Sequence, residues 1–378
     1  MIGILTFHGS HNYGSVLQAY ATQTALKQLG QESQIINFRM QSQKEYYSLY
    51  TAKFGFPIMA QEMVMIPLHM KRRERGRKFE HFIHKYLVLS GEEMKDREEL
   101  RKVRGCYDLY LTGSDQIWSN RIPELVRSKE DFTGVYFLDF VDDDRRRIAY
   151  ASSVGEITLE ELSAKKDLLM KFDAISTREQ YGVDLLENIT GKQVELVLDP
   201  TFLLDRKGWK KLIKPERLIK EKYIFLYTLR GLKRGSKWRK ELSRFAKERG
   251  LKFVALSPFF PLVGSGVHNV VNAGPLDFLN LIENAELVFT DSFHGTAFSI
   301  NLNKPFYSFV GKNSGDNRKT GIMRSIGLEN RGLESIESVR GIDDYSLDYT
   351  DTIDRLEELR NKSREWLQRA VAGGEPTA

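Results

Sequence analysis

Residues 1–38 read MIGILTFHGSHNYGSVLQAYATQTALKQLGQESQIINF, and the order of apolar and polar residues in them decides the fold. The apolar run Ile2 to Phe7 ends in the polar, glycine-bearing stretch His8-Gly9-Ser10-His11-Asn12-Tyr13-Gly14-Ser15. Val16, Leu17, Tyr20, Ala21, Leu26 and Leu29 then recur at helical spacing until Gly30 stops the run. A second strand candidate, Ser33 to Phe38, follows. Strand, loop, helix and strand in so few residues make a βαβ unit, whose crossover predicts a parallel sheet.

The rhythm continues outward from there. Tyr107 to Thr112, Arg147 to Ala151, Ala174 to Thr177 and Glu195 to Leu198 read as further strands, most of them separated by helical segments. After Asp199-Pro200-Thr201 comes a Lys-rich stretch, Asp205 to Lys222, and the alternation restarts with Tyr223 to Leu229. Strands at Phe253 to Leu256, Leu287 to Thr290 and Phe306 to Phe309 interleave with helices at Lys237 to Arg249, Leu276 to Asn284 and Gly295 to Leu302. The expected plan is therefore α/β, with two Rossmann-like parallel-sheet domains, 1–205 and 206–378, the second ending in a helix over 351–370. Two such sheets are expected to face each other across a central cleft, where a ligand can be held from both sides.

Composition agrees with a chain that buries large cores. The 378 residues are 41% hydrophobic and 29% charged, with a net charge of +6, which excludes disorder and collagen-like repeats and is too mild to demand nucleic acid. The single cysteine, Cys106, cannot form an intramolecular disulfide, which fits a reducing compartment. The opening stretch lacks a basic n-region and a small-residue cleavage pattern, and no run of about 18 apolar residues occurs. The expected location is cytoplasmic.

The basic surplus concentrates in an insertion at about 41–105 that breaks the α/β rhythm. There Met59, Met63, Met65 and Met70 precede Lys71-Arg72-Arg73-Glu74-Arg75-Gly76-Arg77-Lys78. Two readings stay open: peripheral contact of residues 71–78 with an anionic membrane at its inner face, or an amphipathic helix whose basic face is merely solvated.

Three loops carry candidate chemistry. In Glu286 to Asn301, ELVFTDSFHGTAFSIN, an apolar strand stops at Asp291-Ser292, and Gly295 is expected to open a helix, placing His294 beside its anion-attracting N-terminus. The positive helix end disfavours the imidazolium, leaving the neutral imidazole that a general base requires. The first loop matches neither a dinucleotide-binding G-x-G-x-x-G nor a P-loop. The loop Thr112-Gly113-Ser114-Asp115-Gln116-Ile117-Trp118 offers hydroxyl, carboxylate and amide groups beside an aromatic face, a mixture suited to a sugar, although Trp118 could equally pack to the core. Arg178 and Arg230 follow strands, and Arg318 lies in a polar stretch, Val310 to Gly321; a guanidinium fork pairs bidentately with phosphate or carboxylate. His69, His81, His84 and His268 show no zinc-ligand spacing, so no metal is expected.

Taken together, these motifs resemble the polysaccharide pyruvyl transferase family. The residues responsible are Asn12-Tyr13-Gly14 with Leu17-Gln18-Ala19-Tyr20, Gly113-Ser114-Asp115-Gln116-Ile117-Trp118, Ser176-Thr177-Arg178-Glu179, Asp199-Pro200-Thr201 and Thr290-Asp291-Ser292-Phe293-His294-Gly295-Thr296. The resemblance implies a GT-B-like pair of domains, phosphoenolpyruvate as donor, a sugar of a polysaccharide or of its lipid-linked precursor as acceptor, and no further cofactor. It implies His294 as acid/base and Arg178 on the donor, with Arg318 a looser match; Ser292, Gly295 and Thr296 are the further donor candidates, and Asn12, Tyr13, Ser114, Asp115, Gln116 and Trp118 the acceptor candidates. Many members carry Arg-Leu before the His-Gly pair, where this chain has Ser292-Phe293. Either one cationic donor contact is missing in this chain, or another residue, such as Arg230, supplies it. The competing classes are a GT-B glycosyltransferase that uses a nucleotide sugar and a catalytically silent sugar-binding protein of the same fold.

Overall fold

The computed structural model describes all residues except 48–65, 127, 129–131, 230–231, 260, 312–316 and 374–378. Its strands form two six-stranded sheets. The first joins β1 (Ile2–Leu5), β2 (Ser33–Ile35), β3 (Leu109–Thr112), β4 (Arg146–Ala149), β5 (Ala174–Thr177) and β6 (Val194–Leu196) in the order β2-β1-β3-β4-β5-β6. The second joins β7 (Tyr223–Tyr227), β8 (Lys252–Leu256), β9 (His268–Asn269), β10 (Leu287–Thr290), β11 (Phe306–Phe309) and β12 (Gly332–Leu333) in the order β12-β11-β10-β7-β8-β9. Every pairing is parallel. Central strands such as Tyr223–Tyr227 and Leu287–Thr290 are buried at every position, which is why they read as unbroken apolar runs rather than as alternations. The expected α/β class is the observed one. The edge strands β9 and β12 were not foreseen, because two residues carry no periodicity.

The helices of nine or more residues are labelled α1 (Tyr13–Gln28), α2 (His69–Tyr86), α3 (Gln180–Thr190), α4 (Leu232–Glu248), α5 (Pro275–Glu283), α6 (Phe293–Asn301), α7 (Asn317–Ser325) and α8 (Thr350–Ala372). Helix α1 is buried nearly all round: Gly14, Ser15, Ala19, Ala21, Thr22 and Ala25 are small enough to let its backbone approach its neighbours closely. In the first unit Phe7, Tyr110, Trp118, Tyr136, Phe137 and Leu186 belong to one apolar core; in the second Ile224, Leu242, Phe245, Phe289 and Phe309 belong to another.

Two compact units result. The first comprises Met1–Pro67, His81–Leu203 and Glu358–Ala378, and the second Leu68–Glu80 and Leu204–Glu357. The division after Leu203 lies beside the boundary expected from sequence, but two segments change sides. The terminal helix, expected with the second domain, belongs from Glu358 onward to the first unit. There Ser363 Oγ accepts from the Leu198 amide at 2.9 Å, Arg364 donates to the Leu203 carbonyl at 2.6 Å, and Arg146 donates to the Ala370 carbonyl at 2.6 Å. Conversely, the start of α2 belongs to the second unit: Lys78 pairs with Asp277 at 2.8 Å, and Glu74 accepts from Asn272 at 2.9 Å. Long-range polar contacts of this kind leave no trace in local periodicity.

One buried acid of the second unit makes stability pH-dependent. Glu241 on α4 is 4% exposed and accepts from Arg340 Nε and from Arg244, both at 3.0 Å. Hydrogen bonding from Arg340 is the main cause that pulls its pKa from 4.5 down to about 2. Because the folded-state value lies below the unfolded one, the interaction stabilises fully above about pH 4.5 and is lost as pH falls towards about 2. The urea midpoint should therefore drop across that window, and Glu241→Gln should have a lower midpoint at neutral pH with a flatter acid limb.

Candidate active site

In the second sheet the chain starts at the central strand β7, runs outward through β8 and β9, returns to the centre at β10, and runs outward the other way. The loops that leave β7 and β10 therefore diverge at a topological switch point, the place where open parallel sheets bind ligands. Asp291 ties the two loops together. Its carboxylate accepts from Thr228 Oγ1 at 2.9 Å and from the Leu229 amide at 2.8 Å, both just beyond β7.

Helix α6 starts here, two residues earlier than expected, because Ser292 is its N-cap and accepts from the Gly295 amide at 3.4 Å. His294 therefore sits inside the first turn rather than in the loop. It is 7% exposed and packs edge-on to Phe293 at 5.2 Å. Arg318, in the first turn of α7, brings its guanidinium carbon to 6.0 Å from the centre of the Phe293 ring. Its neighbour Lys319 is buried and donates to the carbonyl of Asp291 at 3.1 Å and to that of Phe309. The structure thus gathers a helix N-terminus, a histidine, a guanidinium and an ammonium in one corner of one unit. Lys319 and Asp291 were missed as site residues; an acid at a strand end, and a lysine directly after a proposed ligand arginine, were the available signals.

Other expected donor contacts have structural occupations. Gly295 faces strand β10 so closely that a Cβ would lie 2.2 Å from Thr290 Oγ1. Thr296 is fully buried, donating to the Ser292 carbonyl at 3.1 Å and sharing a hydrogen bond with Ser308 at 2.8 Å. Both residues seat α6 on the sheet rather than presenting a group to a ligand. Arg230 lies outside the described residues.

The first unit has its own switch point, between β1 and β3. Ser15 at the start of α1 donates to Asp115 beyond β3 at 2.6 Å, and Gln18 accepts from the Ser114 amide at 3.1 Å. Gly113 is confined to glycine twice over: its φ is +123°, and a Cβ would lie 2.0 Å from the Tyr150 carbonyl oxygen. Asp115 holds φ +76° without being glycine, a conformation the surrounding bonds must enforce.

Arg178 has partners that the sequence reading did not anticipate. Its side chain is 1% exposed, and its guanidinium is spent inside the unit: it pairs with Asp199, donates to Ser114 Oγ at 3.3 Å, and lies 3.5 Å from Asp115 and 3.9 Å from Glu179. Burial works against its charge, yet Asp199, Asp115 and Glu179 outweigh burial and raise its pKa. The guanidinium thus has a structural occupation inside the unit that the sequence reading did not include. Arg178 is the hub joining the segments around Ser114, Arg178 and Asp199.

The expected acceptor residues divide as well. Trp118 is 2% exposed, donates to the Tyr136 carbonyl at 3.0 Å and stacks on Phe137 at 5.2 Å, so its face is closed to a sugar. Tyr13 is fully buried, Ser114 is buried within the Arg178 network, and Asn12 caps α1 by accepting from the Gly14 amide at 3.0 Å. Only Asp115 and Gln116 of that loop are both polar and part-exposed. Tyr47 and the buried Glu124, 2.8 Å apart, were not anticipated. Among the described residues no group of three His, Cys, Asp or Glu side chains could hold a metal ion, and no helix is long and apolar enough to cross a membrane.

A histidine and cations at the switch point of a Rossmann-type sheet, on a chain of two such units, fit an α/β transferase. The chain belongs to the polysaccharide pyruvyl transferase family, whose model matches residues 12–313. No curated protein sequence matches it. Its fold resembles that of the UDP-N-acetylglucosamine 2-epimerase from Rickettsia bellii (TM-score 0.55, 10% identity, 98% of this chain and 95% of that one). The UDP-GlcNAc 2-epimerase from Neisseria meningitidis, solved bound to UDP-GlcNAc, is similar (TM-score 0.54, 11% identity, 98% and 99% coverage). That from Methanocaldococcus jannaschii gives a TM-score of 0.52 at 12% identity over 99% of both chains. At such identities the likeness concerns the GT-B-like fold alone.

Two substitutions separate structure from chemistry here. Arg178→Met leaves Asp199 and its companions buried without their cation and should cost about 3–5 kcal/mol in urea unfolding, far more than loss of a ligand contact would. Gly295→Ala should destabilise by about 1–3 kcal/mol through overpacking against Thr290, seen as a lower thermal midpoint.

Proposed function

We propose that the protein transfers the enolpyruvyl group of phosphoenolpyruvate to two hydroxyls of one sugar in a polysaccharide or its lipid-linked precursor, forming a pyruvate ketal and releasing phosphate. The observation that carries this reading, beyond family membership, is His294 in the first turn of α6, its ring packed against Phe293, whose ring centre lies 6.0 Å from the Arg318 guanidinium carbon. Amides of a helix N-terminus attract anions, and an arginine fork matches phosphate or carboxylate. The donor, with its phosphate and carboxylate, suits that corner, and Ser292 as N-cap keeps the amides aimed.

In the reaction, protonation of the donor's methylene carbon turns it into a methyl group and leaves a cation-like centre at the adjacent carbon. A sugar hydroxyl attacks that centre and gives up its proton. A second hydroxyl of the same sugar then displaces the phosphate, which departs carrying the remaining proton, so atoms and charge balance. His294 moves the protons, and Arg318 holds the donor's anionic end. Asp115 and Gln116, the part-exposed polar groups of their loop, are the acceptor contacts we assign.

Phosphate release from phosphoenolpyruvate in the presence of galactose- or mannose-type acceptors, with a product heavier by one ketal, is the expected result. His294→Asn should lower kcat by about 10²- to 10⁴-fold, the range for loss of a general acid/base, with the fold unchanged by circular dichroism. Full turnover in that variant would remove His294 from the mechanism. Thermal stabilisation by UDP- or GDP-sugars but not by phosphoenolpyruvate would favour a glycosyltransferase instead.

A further inference from the structure

Helix α2 carries an unbroken solvent-facing stripe that the proposed reaction does not use. Exposed residues recur along it at steps of four and three: Ile66 in the short 3-10 turn before the helix, then Met70, Arg73, Arg77, His81 and His84. The next step falls on Val88, just past the helix end and 56% exposed. Steps of three and four keep to one side of an α-helix, so these residues form a single line along it, about 27 Å for the helix itself. The line is apolar at both ends and cationic in the middle. Ile66 and Met70 are 66% and 68% exposed, unusually bare for large apolar side chains.

The basic residues of this helix divide into two groups. Arg75 is buried and donates to the Pro258 carbonyl at 2.5 Å, while Lys78 pairs with Asp277 and with Glu74. These hold the start of the helix on the second unit. Lys71, Arg73, Arg77 and Lys85 are exposed. The carboxylates of the helix, Glu74 and Glu80, border the exposed line and are half-buried, Glu74 being paired with Lys78, and the four exposed cations outnumber them, so the helix face is net positive.

We propose that this stripe docks the protein on an anionic lipid membrane. The helix lies in the headgroup plane, Arg73 and Arg77 meet lipid phosphates, and Ile66 and Met70 enter the acyl boundary. Charge complementarity alone would equally suit an acidic polymer; the bare apolar residues in line with the cations select a lipid surface, which offers an apolar layer beneath its charges. Each cation near an anionic surface contributes about 1 kcal/mol, or about fivefold in affinity, so docking is reversible and salt-sensitive. Docking is independent of the reaction proposed above.

The test is co-sedimentation of the full chain with vesicles of phosphatidylcholine alone and of phosphatidylcholine mixed with phosphatidylglycerol. Binding should occur on the mixed vesicles only and weaken as salt rises. Arg73→Gln with Arg77→Gln should reduce it about 25-fold, Lys71→Gln with Lys85→Gln should reduce it similarly, and Met70→Ser should weaken it without changing the salt dependence. Thermal midpoints should match that of the unaltered chain. Equal binding to neutral vesicles, or undiminished binding by both charge variants, would overturn the proposal. So would dextran sulfate binding that matches vesicle binding and is, like it, indifferent to Met70→Ser, which would mark the stripe as a polymer surface.

Discussion

The constraint on which the rest of this structure depends is that every strand pairing is parallel. A parallel strand must be left and re-entered by a crossover, so all its departures lie at the carboxyl edge, and where the winding reverses two departing loops leave a gap with unpaired amides. Both units close part of that gap with an aspartate. Asp291 accepts from the loop beyond β7, and Asp115 accepts from Ser15 at the start of α1. An acid at a switch point is thus first a solution to a backbone problem. Its chemistry, where it has any, is built on that solution.

Within that shared frame the two corners carry opposite fields. In the first unit Asp115, Glu179 and Asp199 surround Arg178, and the balance is negative. In the second, the α6 N-terminus, Arg318 and Lys319 outnumber the one acid, Asp291, and the balance is positive. The contrast is what favours the second corner for the proposed anionic donor: carboxylates repel phosphates, whereas cations and a helix N-terminus attract them.

Much of the fold was legible because buried parallel strands are written as apolar runs; Ala174–Thr177, Leu287–Thr290 and Phe306–Phe309 were read to the residue. The site was legible as motifs but not as roles. Ser114, Arg178, Glu179 and Asp199 look like ligand-binding polar groups in a string of letters, and only their mutual distances reveal that they satisfy one another. Trp118 was ambiguous for a similar reason: an indole that closes a core and one that stacks on a sugar have the same sequence neighbours. Lys319 went unnoticed because lysines seldom lie buried, and its position after Arg318 marks a cation there but not that it is buried against two carbonyls.

The last turns of α8 have a consequence for how the chain acquires its shape during synthesis. Arg146 donates to the carbonyls of Ala370 and Val371, and the Leu198 amide to Ser363, so groups made early wait for partners that follow the whole second unit in the chain. While the ribosome is still translating the second unit, the first can assemble its sheet but not finish its edge. The half-made protein therefore exposes polar backbone and the Tyr150 surface that Trp366 later touches, and the amino-terminal unit, though translated first, is the later of the two to be completed.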